Sequence, residues 1–551
     1  AANGRGNVNA AAHRPDERDD LDHGLLGVVT EGSFSRGLRV RLLDPAVVEN
    51  LRVGSFVVLE GDRHRYFGMV TDLSLDTTDS AIAADPPLRS PFLSRILRGT
   101  QAYAVAEIRP SLELEHGNVE PRPARTIPPH FAYLRQATAE DFAAVFGRED
   151  TTHFALGTPP AMDIPVPLDL AELVKRSNGV FGQSGSGKSV LTRLLLIGLI
   201  LADEVSVLLF DMHNEYARAP SDQPELIGLR ELFGPSRVHV YTLDDRTEKS
   251  VSARTIRIGL DQIEPEDIEL LAEELNLNPT FATVAHHLYA RFGREWIDQT
   301  QKFDSEAVKA FCSETGVAEA SVNALRSKLG RLVNRPYICP TLDFSVIDDI
   351  IQKLQRGTHV IVQFGRYDSF LDYMLVANLL TRRIHGKYTE DVLEAQLAGG
   401  EAKIRPLVIV LEEAHKFLTP EAARQSIFGT IAREMRKYRV TLLIVDQRPS
   451  SIDREILSQL GTKIIGPLSD QQDIEAVLTG VADRSGLRNL LANLSPRQEC
   501  VIVGHAVRMP VAIRTRPYRR EELLEIVRAR SGQPDGSGRT RDEALRRLLT
   551  G

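Results

Sequence analysis

The chain has 551 residues, too many for one hydrophobic core, so two to four domains are expected. With 42% hydrophobic and 26% charged residues, its composition is that of an ordinary soluble globular protein. A net charge of −8 excludes a molecule that attracts nucleic acid over its whole surface, so any such binding has to come from a local basic surface. In chain order, residues 1–23 are small and polar with a charge run at 14–22, which reads as a disordered tail lacking the apolar segment of a signal peptide. Residues 24–150 read as a small β-barrel and its connection, from short β-rich runs at 27–29, 38–43, 55–59 and 66–70 between Gly, Asp and Asn turn signals. Residues 76–100 interrupt the runs as a loop with Pro86, Pro87 and Pro91, 102–108 add a strand, and 110–129 read as a proline-rich extended connection.

From residue 151 the pattern changes. Strand-like apolar runs at 178–181, 205–211, 357–364, 406–411, 440–445, 463–468 and 499–504 alternate with helical patterns at 189–202, 370–385 and 422–438. That alternation means an α/β fold with a mostly parallel sheet covered on both faces. A helical stretch at 264–345, with start signals such as Pro265-Glu266-Asp267, divides this core into 151–263 and 346–515 as an inserted helical subdomain. Residues 516–551 form a basic C-terminal arm. The most apolar stretch, 191–210, contains Arg193, Asp203 and Glu204, so it is no membrane span. Cys312, Cys339 and Cys500 are odd in number and far apart, which fits a reducing cytoplasm rather than a disulfide framework.

The most specific motif is Gly182-Gln183-Ser184-Gly185-Ser186-Gly187-Lys188-Ser189, which matches G-x-x-x-x-G-K-[ST] and runs into a helix at Val190. Its glycines let backbone N–H groups turn onto phosphates, and the helix adds its positive end. Lys188 then reaches the β- and γ-phosphates of ATP, and Ser189 ligates Mg²⁺. A second apolar run ends in Glu412-Glu413, at the sheet edge where phosphates sit. Glu412 holds the Mg²⁺ shell directly or through water, and Glu413 orients or deprotonates the attacking water. His415 is either a coupling residue or an ordinary helix start. Asp211 and Glu215 follow another buried strand and bind metal or water, sense the nucleotide, or build a structural turn. Gln447, after the neighbouring strand, is the candidate for contact with the γ-phosphate. Arg433 and Arg436 are alternatives for an arginine finger into a neighbouring subunit, against a solvated basic face.

The order of these segments resembles the HerA family of hexameric DNA translocases and helicases, within the FtsK/HerA superfamily. The resemblance rests on the phosphate loop, Phe210-Asp211-Met212-His213-Asn214-Glu215-Tyr216, Leu411-Glu412-Glu413-Ala414-His415, Arg436-Lys437-Tyr438 and Asp446-Gln447-Arg448-Pro449-Ser450. The N-terminal barrel is similar to the HAS barrel, most tellingly at residues 51–58, and the likeness spans about residues 24–520. It implies a RecA-like P-loop NTPase core, ATP and Mg²⁺ as cofactors, and a six-membered ring threaded by duplex DNA. It further implies a nuclease partner such as NurA in DNA repair, or an effector in antiviral defence, docked on the barrel. Glu412 stands where Asp is more common, and Asp446 where Ser often precedes Gln-Arg-Pro. The alternative is a hexameric scaffold in which ATP regulates a barrel-bound effector without long-range translocation.

Overall fold

The computed structural model describes residues 24–531, apart from 45–46, 85, 88–89, 99, 116–119, 221–222, 247–252, 343–344, 368, 400–403, 435–437 and 482–483. The expected tail 1–23, the end of the arm at 532–551, and Arg436 lie outside the described residues. Two compact units divide at Gly147/Arg148, with Ala161–Ile164 belonging to the first.

The first unit is built from β1 (Leu25–Ser33), β2 (Gly37–Leu42), β3 (Phe56–Glu60), β4 (His64–Thr77), β5 (Ala102–Glu115), β6 (Arg122–Pro123) and β7 (Tyr133–Gln136). Their order is β2-β1-β7-β3-β4-β5-β6, and β2 also pairs with β5, so six strands close into a barrel. Alternation along the strands turns Val29, Val40, Val57, Leu59, Val70, Ile108 and Leu134 into its interior. The outer side chains of β3 and β4, Phe56 and Phe67, pack on Phe142 and Phe146 of the helix Ala139–Phe146, with ring centroids 5.3 to 6.2 Å apart. That second contact explains why four of the five residues of β3 are buried.

Two expectations change here. The prolines after residue 109 do not end the strand: β5 continues through Pro110, where the register slips so that Phe67 faces Leu112 and Gly68 faces Pro110. A bulge frees that position from donating to the ladder, so proline is tolerated. Just past the expected connection, where no strand was read, lies β7, which bridges β1 and β3 and completes the barrel wall.

The second unit contains β8 (His153–Ala155), β9 (Gly157–Thr158), β10 (Pro167–Asp169), β11 (Asn178–Phe181), β12 (Ser206–Asp211), β13 (Val238–Thr242), β14 (Arg254–Thr255), β15 (Ile258–Gly259), β16 (Ile338–Cys339), β17 (His359–Gln363), β18 (Leu407–Glu412), β19 (Val440–Asp446), β20 (Thr462–Ile465), β21 (Glu499–Gly504) and β22 (Val511–Thr515). Eleven of these form one sheet in the order β14-β13-β17-β12-β18-β19-β11-β20-β21-β22-β9. Pairing is parallel from β14 to β20 and antiparallel from β20 onward. Every residue of β11, β12, β17, β18 and β19 is buried, as expected for a sheet covered on both faces.

The insertion holds the helices Pro265–Leu270, Phe281–Phe292, Trp296–Gln301, Ser305–Thr315 and Glu319–Val333, and the parallel pair β15–β16 closes its base. Trp296 is its buried centre and donates from Nε1 to the Ile263 carbonyl at 2.9 Å. The helix expected at 422–438 is broken: Ala422–Gln425 and Ile427–Glu434 are separated at Ser426, whose extended backbone and Oγ, accepting from Gly429 N, restart the second segment. Among the described residues no helix is long and apolar enough to cross a membrane.

Candidate active site

Parallel register decides which side chains meet. Phe181 faces Asp446, Glu412 faces Val445, and Asp211 faces Gln363. The carboxyl ends of β11, β19, β18, β12 and β17 therefore finish along one sheet edge, the place where α/β sheets bind ligands.

The phosphate loop leaves β11 between two anchors. Gly182 N donates to the Asp446 carbonyl at 3.3 Å, and Gln183 N donates to the Pro467 carbonyl at 3.0 Å. Gly185 and Gly187 are left-handed, with φ of 77° and 91°, and a Cβ at either would meet nothing within 4 Å. The loop is thus an open concavity shaped by backbone alone. Gly187 caps the helix Lys188–Ala202 without a side-chain hydrogen bond, which leaves first-turn N–H groups available to an anion. Ser184 and Gly185 are exposed, whereas Lys188, Ser189 and Val190 are half-buried at the helix start.

Glu412 is buried at the tip of β18. Its Oε1 accepts from the Tyr216 hydroxyl at 2.7 Å, and its carbonyl accepts from the Tyr373 hydroxyl at 2.9 Å. Burial and the nearby Asp211 carboxylate push the Glu412 carboxyl up to about 8, while the Lys188 ammonium acts in the opposite direction. Its Oε2 is buried with no hydrogen-bond partner among the described residues. An orphaned carboxylate oxygen beside a phosphate cradle fits a divalent cation. Among the described residues no cluster of three or more His, Cys, Asp or Glu could hold a metal. Asp211 is fully buried, and its oxygens accept from Glu215 N at 2.8 Å, Tyr216 N at 3.0 Å and Gln363 Nε2 at 3.0 Å. The structure thus finds Asp211 tying the turn after β12, with Glu215 half-buried beside it.

The second acidic group is less confined. Glu413 is half-buried, and both its oxygens lie 3.4 Å from Gln447 Nε2. His415 Nδ1 lies 3.0 Å from Asp446 Oδ2 and 3.6 Å from Glu413 Oε2. Asp446 is buried and also accepts from His415 N at 2.6 Å and Arg448 N at 2.7 Å, so it fixes the imidazole and the start of the Gln447–Arg448 turn together. Burial raises its proton affinity, but the His415 hydrogen bond and charge outweigh this and keep its carboxyl below the usual range. Glu413–Gln447 and His415–Asp446 thus form two hydrogen-bonded pairs side by side, 3.6 Å apart between His415 Nδ1 and Glu413 Oε2. Arg433 is apart from these pairs, donating to the Ala423 carbonyl at 2.9 Å with its Nε 3.5 Å from Glu455. Two residues of the site had no role from sequence, Tyr216 and Tyr373, since nothing in the local pattern says that their hydroxyls converge on Glu412.

The family model described as "Helicase HerA, central domain" matches residues 154–384, and the HAS barrel domain matches 26–90. The DNA double-strand break repair helicase HerA of Pyrococcus furiosus is 25% identical over 410 residues, covering 69% of this chain and 72% of its own. The protein of the same name from Sulfolobus acidocaldarius is 25% identical over 476 residues, covering 85% of this chain and 89% of its own. Among solved structures, the bacterial conjugative coupling protein TrwB aligns with a TM-score of 0.45 at 12% identity, over 70% of this chain and 95% of that one. VirB4 of Thermoanaerobacter pseudethanolicus aligns with a TM-score of 0.43 at 15% identity, over 69% of this chain and all of that one. A HAS barrel and a HerA central domain thus follow one another along the chain, and HerA helicases are similar to it over most of its length.

Proposed function

We propose that the chain is an ATP-driven DNA translocase or helicase that works as a ring, most simply a hexamer, with DNA (duplex by preference) in its central pore. The observation that carries the reading is the shared sheet edge, where an open phosphate loop, the orphaned Glu412 oxygen and the Glu413–Gln447 pair end side by side. Gly182 to Val190 would bind ATP through backbone N–H groups, with Lys188 on the β- and γ-phosphates. Ser189 and Glu412 would hold Mg²⁺, which when bound supplies charge neutralisation to the phosphates. Glu413, steadied by Gln447, accepts a proton from or orients the attacking water. Arg433 and Arg436 remain the alternatives for a finger supplied to a neighbouring subunit, and the former is half-buried and held within its own chain.

The barrel is the docking platform for a partner nuclease of the NurA type, or for a defence effector, in a cytoplasmic complex. Exposed Phe34, Leu75, Phe92, Phe131 and Tyr133 on that unit support a docking role. The experiment is ATP hydrolysis with and without long duplex DNA, together with mass in solution. A hexamer whose turnover rises with DNA, and a Lys188→Ala variant that does not hydrolyse, are expected. A ring indifferent to DNA at low salt would replace the motor with the scaffold that only regulates a bound effector.

A further inference from the structure

Arg193 lies on the helix that begins with Lys188 and Ser189, yet it is 1% exposed. A buried cation is costly unless it is satisfied. The groups around this one are carbonyls and rings, and its Nε is without a hydrogen-bond partner among the described residues. Nη2 donates to the Glu215 carbonyl at 2.6 Å, and Nη1 reaches the Leu226 carbonyl at 3.5 Å. The guanidinium lies 5.5 Å from the centroid of the Tyr216 ring and 5.9 Å from that of Tyr518. Tyr216 in turn donates to Glu412 Oε1, and Tyr518 donates to the Ile227 carbonyl at 2.7 Å. Contacts therefore run without a gap from Tyr518, just ahead of the helix Arg520–Ser531, to the carboxylate at the tip of β18.

We propose that Tyr216 is a positioning residue for Glu412, and that the C-terminal segment sets this position through Tyr518 and Arg193 and so tunes ATP hydrolysis. The inference rests on the reading of Glu412 as the carboxylate on the Mg²⁺ side of the nucleotide. Glutamate has one more rotatable bond than aspartate, so its carboxylate needs an external partner to hold one orientation. Tyr216 supplies that partner at Oε1 and leaves Oε2 as the oxygen without one among the described residues. A desolvated guanidinium on the face of Tyr216 attracts the ring and polarises its hydroxyl toward donation. Without the Tyr518 ring, one side of Arg193 opens to water, its hold on residues 215–226 loosens, and Tyr216 loses its fixed place.

The test is steady-state hydrolysis by the full chain as a function of ATP and of Mg²⁺, with binding of a fluorescent ATP analogue measured alongside. Tyr216→Phe removes only a hydroxyl; kcat is expected to fall about tenfold, the magnitude of one hydrogen bond to a charged group. The Mg²⁺ concentration for half-maximal rate should rise, with analogue affinity at saturating Mg²⁺ unchanged, a split that a loss of fold would not produce. Tyr518→Ala should act in the same direction by about threefold, less than the full worth of a desolvated cation–π contact because Tyr216 keeps its hydroxyl, and Tyr518→Phe should recover most of it. In a Tyr216→Phe background, Tyr518→Ala should add no further loss. Should Tyr518→Ala not fold, Tyr518→Leu, which keeps apolar bulk but not the ring, answers the same question. A Tyr216→Phe enzyme with unchanged rate and Mg²⁺ dependence, or two losses that simply multiply, would overturn the proposal. Hydrolysis retained by Lys188→Ala would instead overturn the underlying reading of the site.

Discussion

Glu413 has a left-handed backbone at the end of β18, with φ of 48° and ψ of 41°. A non-glycine residue in that region costs on the order of 1 kcal/mol, and such strain collects at functional positions. It turns consecutive carboxylates apart, so that Glu412 is held by Tyr216 and Glu413 is held by Gln447. Glu413→Gln keeps shape and removes the base; ATP binding should persist while turnover falls by about 10²-fold or more, measured by analogue binding and phosphate release. A different residue contributes to acid stability. His359 is buried at the start of β17 with both ring nitrogens unpartnered among the described residues. Burial, then the Arg237 and Arg405 charges, lower its proton affinity to about 3. The unfolded chain takes up this proton below about 6.5 and the folded chain does not, so stability is lost as pH falls through that window. Relative to wild type, His359→Leu should gain about 1 kcal/mol between pH 7 and pH 5.5, read from denaturant midpoints. The residues legible in the sequence, Lys188, Glu412 and Glu413, belong to contiguous strings. Arg193 and Tyr216 were visible only as a charge in an apolar helix and an aromatic after a strand, because their partners are distant along the chain.

At the scale of elements, the strands of the parallel sheet could be read because burial on both faces makes each a continuous apolar run, as at Leu407–Glu412. The elements that could not be read are short or interrupted. Tyr133–Gln136 has only four residues, and its place in the barrel is set by pairing with β1 and β3 rather than by its own pattern. The break at Ser426 follows from packing, since a Cβ on Gly429 would lie 1.7 Å from the Ala423 carbonyl oxygen. The insertion was legible as helical from its period and start signals, but its dependence on one side chain was not. Trp296 is fully buried and ties Phe281–Phe292 and its neighbours to the Ile263 carbonyl. Trp296→Ala should cost about 3–5 kcal/mol, and limited proteolysis should cut first within residues 264–335 while the β-sheet core stays protected.

For the whole molecule, a net charge of −8 sets a condition on DNA binding. Only phosphate contacts at a local basic surface can offset repulsion by the rest, and each phosphate neutralised releases counterions. The logarithm of affinity should therefore fall linearly with the logarithm of salt, with a slope of about −0.9 per phosphate contacted. Fluorescence anisotropy with a labelled duplex measures it; an affinity independent of salt would contradict the motor reading. The central domain and barrel were legible as wholes, through their order along the chain. The partner was not, because the exposed side chains of the barrel show that a surface is available and leave its occupant unspecified.

The position of β11 has a consequence for how the protein is made. The strand that launches the phosphate loop pairs with β19 and β20, whose residues are synthesised roughly 260 to 290 positions later. At about 5–20 residues per second, a ribosome needs on the order of 15 to 60 s to supply them. For that interval a short strand that ends up wholly buried has neither neighbour, and the loop has no frame on which to close. The barrel is complete by Gln136 and can form while the nucleotide site waits. Nascent chains stalled before residue 440 should leave β11 unpaired and its Val180 and Phe181 exposed to chaperones, and bind no nucleotide, so ATP binding reports that nearly the entire chain has been released.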